Sequence, residues 1–206
     1  MKYITPLFLL CVLLSSAQKN IEKTFVLNKG VSAVVFDLEH VFSIKLKSSK
    51  KPGITLKAIS EGEYANHFVI TEDVTDGIMT ISGSIAFTFP NNQDKLSAHK
   101  VHAITIEITV PESLKTTVNS GIGNLDAKGY YKQLTINFLS GNCWLHNVSG
   151  SLQIQTVSGN INLVAKEGRV IFETKTGVVA KEQLVNGPSV FKLKTIKGNI
   201  NIKQSN

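Results

Sequence analysis

The chain has 206 residues, of which 42% are hydrophobic and 18% are charged, with 15 glycines and five prolines. This composition supports a buried core and excludes a disordered chain, a collagen-like chain and a coiled coil. The excess of Lys and Arg over Asp and Glu, 22 against 15, gives a formal net charge of +7. The length predicts one domain or a closely packed pair.

The first 17 residues have the pattern of a secretory signal peptide. Lys2 supplies a positive start, and an eight-residue apolar run follows at Leu7–Leu14. This run is much shorter than the ~20 residues that cross a bilayer as a helix. Small residues at positions 15–17 predict cleavage after Ala17. We therefore expect an exported protein, in the periplasm or at the cell surface, whose mature chain has no transmembrane segment.

The predicted mature chain, residues 18–206, is expected to form a single all-β domain. It keeps one cysteine, Cys143, and so cannot form an internal disulfide. Its stability must come from strand pairing and apolar burial. We predict a β meander over residues 18–117 that continues into a β-solenoid over residues 118–206.

Period-two alternation of apolar and polar residues predicts the strands of the meander. Asp76-Gly77 predicts the tight turn of a hairpin. Residues 89–100 carry Pro, Asn and mixed charge, and we interpret them as a loop. No window has helical spacing, so little helix is expected. The predicted strands are 31–36, 42–47, 54–57, 68–71, 78–81 and 102–110.

The second half of the sequence repeats. A small or polar residue followed by glycine recurs at intervals of 18 to 21 residues, and a second glycine lies near the middle of each interval. Two short strands per rung, with glycine at both corners, are typical of a β-solenoid. The repeats start at Ser120, Ser140, Ser158, Thr176 and Lys197.

Counting from each repeat start predicts columns of stacked side chains. The inward columns are apolar, apart from Lys181 in the fourth rung. The outward positions place Asn142 beside Asn160, and Trp144 beside Asn124 and Asn162. The inward columns include Ile136, Ile154 and Phe172, and also Cys143, Ile161, Val179 and Ile200.

Four segments carry a resemblance to a known family: Val118–Gly121, Val157–Asn162, Lys197–Ile202 and the strand Ile106–Pro111. In these segments the chain resembles the putative auto-transporter adhesin (head GIN domain) family and a related bacterial adhesin domain of unknown function. The resemblance covers nearly all of the mature chain. It implies an exported, all-β protein of the bacterial envelope with right-handed β-helix-like coils, and it brings no catalytic residues.

Candidate catalytic and metal-binding residues are few. The sequence lacks the nucleophile elbow, the zinc motifs, Cys-x-x-Cys and the phosphate-binding loop. The inward position of Cys143 favours packing over nucleophilic catalysis. His99 and His102 are spaced as metal ligands are, but one lies in the predicted loop and the other begins an apolar strand face. The acids within residues 72–76 are too unevenly spaced for a calcium loop. We expect no metal and no cofactor.

A carbohydrate-active β-helix enzyme, either a lyase or a hydrolase, is the main alternative to a binding protein. Such enzymes need paired carboxylates, or a base with cationic stabilisers. The acids of the repeat half fall at four different rung positions, so we expect no enzymatic activity. These acids are Asp126, Glu167, Glu173 and Glu182. A periplasmic structural protein without a ligand is the third interpretation.

The lysines are scattered and no aromatic residues alternate with them, which argues against nucleic acid as a partner. They favour weak attraction to anionic glycans or lipid headgroups. Trp144 is predicted to point outward beside Asn142 and His146, with Asn162 in the next rung. An exposed Trp beside amides suits stacking on a sugar, although its ring could instead cover a neighbouring loop. The expected partner is a surface glycan or another envelope protein.

Overall fold

The computed structural model describes residues 18–62, 65–86 and 103–205. The predicted signal peptide, the predicted loop at 89–100, His99 and His102 lie outside these residues. Within the described residues the chain is all-β, with fifteen strands and one short 3-10 turn at Ala65–His67. This part of the chain has no helix that is long and apolar enough to span a membrane.

Eight strands precede the repeats and seven lie within them. The first group is β1 (Gln18–Phe25), β2 (Ala33–Leu38), β3 (Ser43–Ser49), β4 (Ile54–Glu61), β5 (Phe68–Thr75), β6 (Ile78–Ile85), β7 (Ala103–Pro111) and β8 (Lys115–Ile122). The second group is β9 (Asn124–Ser140), β10 (Cys143–Ser158), β11 (Ile161–Ala165), β12 (Glu167–Thr176), β13 (Val179–Lys181), β14 (Val185–Lys197) and β15 (Ile200–Gln204).

All fifteen strands belong to one sheet with two arms, because the long strands β9 and β10 run through both. The first arm has the order β1-β4-β7-β3-β9-β10-β11-β15-β13. The second arm has the order β5-β6-β2-β8-β9-β10-β14-β12. Gly129 and Gly150, with φ of +110° and +102°, lie where β9 and β10 pass from one arm to the other.

The sheet curls into a half-barrel around one apolar core. Along each strand, alternate side chains point to opposite faces, so one face of each arm lines this core. Ile44 and Leu46 from β3, and Phe36 from β2, are fully buried there. Alternate positions of β9, β10, β11, β14 and β15 contribute mostly apolar side chains to the same core, as the sequence predicts, whereas the side chains of β12 and β13 are largely exposed.

The predicted hairpin around Asp76-Gly77 is confirmed. β5 and β6 pair antiparallel, with Thr75 opposite Ile78. Asp76 and Gly77 have φ of +54° and +74°, and positive φ at both central residues is the geometry of a type I′ turn.

The meander predicted for residues 18–117 is wrong. In a meander, successive strands pair antiparallel. Here β2 pairs in parallel with β6 and β8, and β3 pairs in parallel with β7 and β9. The chain passes back and forth between the two arms. Period-two patterning cannot reveal this, because it reports burial and not the choice of partner strand.

The first predicted rung is shifted by two residues. The interval of 20 residues between Ser120 and Ser140 had placed Asn124 beside Trp144. In the structure the offset from β8 to β9 and from β9 to β10 is 18 residues, so Leu125 lies beside Cys143 and Asp126 beside Trp144. A shift of two residues preserves the face of every side chain and changes only its neighbours.

The last rungs are not stacked in chain order. β10 pairs with β14, and β14 pairs with β12, so that Ile154 lies beside Leu193 and not beside Phe172. In the first arm β15 likewise lies between β11 and β13. The third member of the predicted column of Ile136, Ile154 and Phe172 is therefore wrong. Leu193 takes the third place, and Phe172 ends the column.

Lys181 gives a physical reason for this interleaving. Its side chain occupies a position that was predicted to face inward. In chain order it would lie between Leu163 and Ile202, where an unpaired ammonium group is costly to bury. The observed order places β13 at the edge of the arm, beside Ile202 alone. There Lys181 is exposed, and its Nζ lies 5.4 Å from the centre of the Phe172 ring.

Candidate ligand-binding face

The outer face of the first arm carries a continuous transverse row with one side chain from each of the eight strands from β1 to β15, which we call the central row. Strand register places these residues side by side. The row is charged at one end, amide-bearing at the other, and has its only aromatic ring between them. It consists of Glu22, Lys57, Glu107, Lys45, Asp126, Trp144, Asn162 and Asn201.

Ion pairs hold the charged end of the central row. Glu22 lies 3.0 Å from Lys57 Nζ, and Glu107 Oε1 lies 2.9 Å from Lys45 Nζ. The hydrogen bond between Lys45 and Glu107 raises the pKa of the lysine and lowers the pKa of the carboxyl group. Both groups therefore stay ionised around neutral pH.

Trp144 is 36% exposed and lies between Asp126 and Asn162 in the central row. Its chain neighbours, Cys143 and Leu145, are fully buried and fix the strand in this orientation. Adjacent strands lie ~4.8 Å apart, so the two polar neighbours flank the ring closely. The exposed ring can stack against a flat apolar surface while carboxylate and amide groups beside it bind hydroxyl groups.

His146 is exposed two residues along β10, in the neighbouring row. It lies beside Lys128 on β9, and Lys128 lies beside Lys47 on β3. These three residues, Asp126 and Asn147 line an open cleft next to Trp144. The cleft carries two lysines and one carboxylate, so an anionic group would be attracted to it.

Asn142 lies at the edge of this face and has a structural role. Its Oδ1 accepts a hydrogen bond from the Asn160 N–H at 2.8 Å, and its own N–H donates to Asn124 Oδ1 at 3.1 Å. The series continues from the Asn199 N–H to Asn160 Oδ1 at 2.7 Å. This asparagine ladder joins successive turns, so the Asn142 side chain is already hydrogen-bonded within the protein.

Asn162 is also hydrogen-bonded. Its Oδ1 accepts from Asn201 Nδ2 at 2.8 Å, which leaves its Nδ2 group to serve a ligand. The structure thus places Trp144, His146 and Asn162 on one face, with Asn142 in the ladder beside them. Their binding role stays a prediction.

Asp126 and Lys128 are the members of this face that sequence reasoning missed. The error of two residues in the first rung had paired Trp144 with Asn124. The recurring 18-residue offset of the next two intervals was the signal that could have corrected it.

The described residues offer little catalytic chemistry. Burial raises the pKa of the Cys143 thiol to about 12, so this group stays protonated and unreactive near neutral pH. Glu173 pairs with Lys194 at 2.9 Å, and Glu182 Oε2 accepts from the Gln204 N–H at 2.9 Å. Across the described part of the chain no group of three or more His, Cys, Asp or Glu side chains could hold a metal ion.

Comparison of sequences finds no matching protein-family model and no matching curated protein. Comparison of structures does find similar folds. A "putative cell adhesion protein" from Clostridium sporogenes has a TM-score of 0.58 and 16% identity, covering 91% of this chain and all of the other. This likeness shows a shared fold.

Two further solved structures are more distant. A "putative adhesin" from Bacteroides fragilis has a TM-score of 0.39 at 18% identity, covering 91% of this chain and 97% of the other. A "putative adhesin" from Parabacteroides merdae has a TM-score of 0.40 at 17% identity, covering 89% and 81%.

Proposed function

We propose that this chain is an exported, non-enzymatic, adhesin-like binding protein of the bacterial envelope, and that it binds a surface glycan on the face around Trp144. The observation that carries the proposal is the exposed Trp144 ring between Asp126 and Asn162 on the polar outer face of the first arm. The signal-peptide pattern of residues 1–17 supports export. The fold shared with the "putative cell adhesion protein" from Clostridium sporogenes supports an adhesin-like role.

The chemistry of this face suits a carbohydrate. A pyranose ring has an apolar C–H surface that can stack on indole, and its hydroxyl groups bind carboxylates and amides. The lysines of the adjacent cleft favour an acidic sugar over a neutral one, by an attraction that salt weakens. Lys47 and Lys128 would contribute this preference.

The scaffold behind this face would act as a right-handed β-helix-like coil. Parallel pairing of β9 with β10, and of β10 with β11 at an offset of 18 residues, supports this interpretation. Such a coil presents a rigid surface, so a ligand would bind without much ordering of the protein.

The test is an array of neutral and acidic glycans probed with the unaltered chain, Trp144→Ala and Leu139→Ala. Leu139 is an exposed apolar residue on the second arm, so its loss removes similar surface from the opposite side. Trp144→Ala should weaken binding about tenfold to thirtyfold, as for a Trp at the centre of an interface. Leu139→Ala should bind as the unaltered chain does.

Acidic glycans should lose affinity when the salt concentration is raised, and neutral ones should not. A Trp144→Ala variant that binds unchanged would exclude this face. A loss confined to Leu139→Ala would move the binding site to the second arm. If no glycan on the array binds the unaltered chain, the proposal that this face binds a glycan is wrong.

A further inference from the structure

The second arm ends at β12, and this strand has a free edge. Among the described residues β12 pairs with β14 alone. The Thr176 carbonyl accepts from the Gly198 N–H at 3.1 Å, so the backbone groups of Thr176 point toward β14 and away from the free edge. Because backbone groups alternate along a strand, Arg169, Ile171 and Glu173 present their N–H and C=O groups to the free edge. Such an edge is ready to pair with another strand.

The same edge exposes apolar side chains. Ile171 is 47% exposed on the outer face, and Phe172 is 38% exposed at the end of the core column that begins with Ile136 and Ile154. Lys181 covers part of the Phe172 ring. The edge strand at the opposite end of this arm, β5, instead exposes the acids Glu72 and Asp73. The core is therefore open at β12.

The sequence of β12 is complementary to itself when it is paired antiparallel about Ile171. In that register Arg169 lies opposite Glu173 of a second copy, and Val170 lies opposite Phe172. Directly opposite residues of an antiparallel pair point to the same face, so the opposite charges meet on the outer face and the apolar residues meet on the core face.

Neighbouring registers are disfavoured. Antiparallel pairing places edge-facing residues opposite edge-facing residues, so the register can shift only by two residues in one strand. A shift in one direction places Arg169 opposite Ile171, which removes both pairs of Arg169 with Glu173, and a shift in the other places Arg169 opposite Lys175. The first shift loses the pairs of opposite charge, and the second brings like charges together, which is destabilising. The register centred on Ile171 is thus selected by charge.

Most of these charges lack an ion pair within the chain. Among the described residues Arg169, Glu167 and Lys175 take part in no salt bridge, and Glu173 uses one carboxylate oxygen for Lys194. The other oxygen of Glu173 can accept from the Arg169 guanidinium of a second copy. Arg169 is also the single arginine in the sequence.

We infer that two copies of this chain associate through the free edges of β12, antiparallel and with a two-fold axis at Ile171. The dimer continues the second arm from one copy into the other and covers Phe172 in both. Its interface is isologous, so it closes at two copies and does not build a filament. It stands independently of glycan binding, since Trp144 lies on the first arm.

The experiment is sedimentation equilibrium of the full chain at several concentrations, with far-UV circular dichroism to confirm the fold. The unaltered chain should be dimeric at micromolar concentrations. Ile171→Lys should weaken association about tenfold or more, because it brings two like charges together at the two-fold axis. Val157→Lys, at an exposed position on β10 in the same arm, should remain dimeric.

A pair of charge reversals tests the register. Arg169→Glu and Glu173→Arg should each be monomeric, because each places like charges opposite each other twice. An equimolar mixture of the two variants should form a heterodimer, in which both pairs are of opposite charge again. A monomeric unaltered chain, an Ile171→Lys variant that stays dimeric, or a mixture that stays monomeric would each overturn the inference.

Discussion

Gly159→Ala should destabilise the protein by about 3–5 kcal/mol. Gly159 has φ of +148°, a conformation that side chains with Cβ rarely adopt. A Cβ atom at this position would also lie 2.0 Å from the Gly141 carbonyl oxygen of the adjacent rung. The φ value and the close carbonyl oxygen both belong to the backbone, so no side chain can move away to relieve the strain.

Gly159 belongs to a column of glycines that pass close to one another at successive corners between the two arms. The oxygen of Gly159 accepts a hydrogen bond from Thr195 Oγ1 at 3.0 Å, so the clash would disturb this bond as well. The other members of the column are Gly123, Gly141, Gly198 and Gly177.

Gly121→Ala is the matched control, because it makes the same chemical change near the end of β8, two residues before the corner glycine Gly123. A Cβ atom there meets only the Glu39 carbonyl oxygen, at 3.7 Å, which is an ordinary contact. This variant should stay within about 0.5 kcal/mol of the unaltered chain. Urea unfolding monitored by circular dichroism measures both. Equal midpoints for the two variants would contradict the close approach of rungs at Gly159.

Ile154→Ala should cost about 2–5 kcal/mol, and Phe172→Ala should cost clearly less. Ile154 is fully buried between Ile136 and Leu193, so its removal leaves a cavity bounded on both sides. Phe172 has only Leu193 beside it and is 38% exposed, so water already reaches part of its ring. The order of the two losses therefore reports which strand lies inside the arm.

Gln155→Ala is the control for Ile154→Ala. Gln155 is the next residue in β10 and points outward, so its loss should change the free energy of unfolding by no more than about 0.5 kcal/mol. Urea midpoints of the three variants provide the comparison. A larger loss for Phe172→Ala than for Ile154→Ala would place β12 inside the arm and restore the order predicted from the repeats.

The sequence was sufficient to predict the face on which most side chains of the repeats lie, because local alternation reports burial. It also placed Phe172 in an inward column, but Phe172 is 38% exposed because β12 lies at the edge of the arm. Cys143, Leu145 and Ile154 face the core as their positions in the repeat predict. The turn at Asp76-Gly77 was also predictable, because few dipeptides accept positive φ at both positions.

The choice of partner strand could not be read in the same way, since it depends on residues far apart in the chain. Gly177 and Gly198 have similar surroundings in sequence, and either could lie beside Gly159. Only Lys181 favoured the observed order, because a lysine in an inward column is tolerated at an edge and not in the middle. The same uncertainty affected the candidate site, where Asp126 and not Asn124 lies beside Trp144.

The strand order of the second arm can be tested directly by disulfide trapping, because the free edge of β12 depends on it. Gln155, Lys194 and Glu173 lie in adjacent strands in that order, and all three point outward. Neighbouring strands are ~4.8 Å apart, within the range of Cα separations that a disulfide bridges. Strands two places apart are separated by about 10 Å, which is too far.

Two double-cysteine variants in a Cys11→Ser background, oxidised under native conditions, provide the measurement. Gln155→Cys with Lys194→Cys should form a cross-link that mass spectrometry detects between the two peptides, while buried Cys143 stays reduced. Gln155→Cys with Glu173→Cys should form none within the same molecule. A cross-link in the second variant and not in the first would contradict the interleaved order and restore a solenoid stacked in chain order.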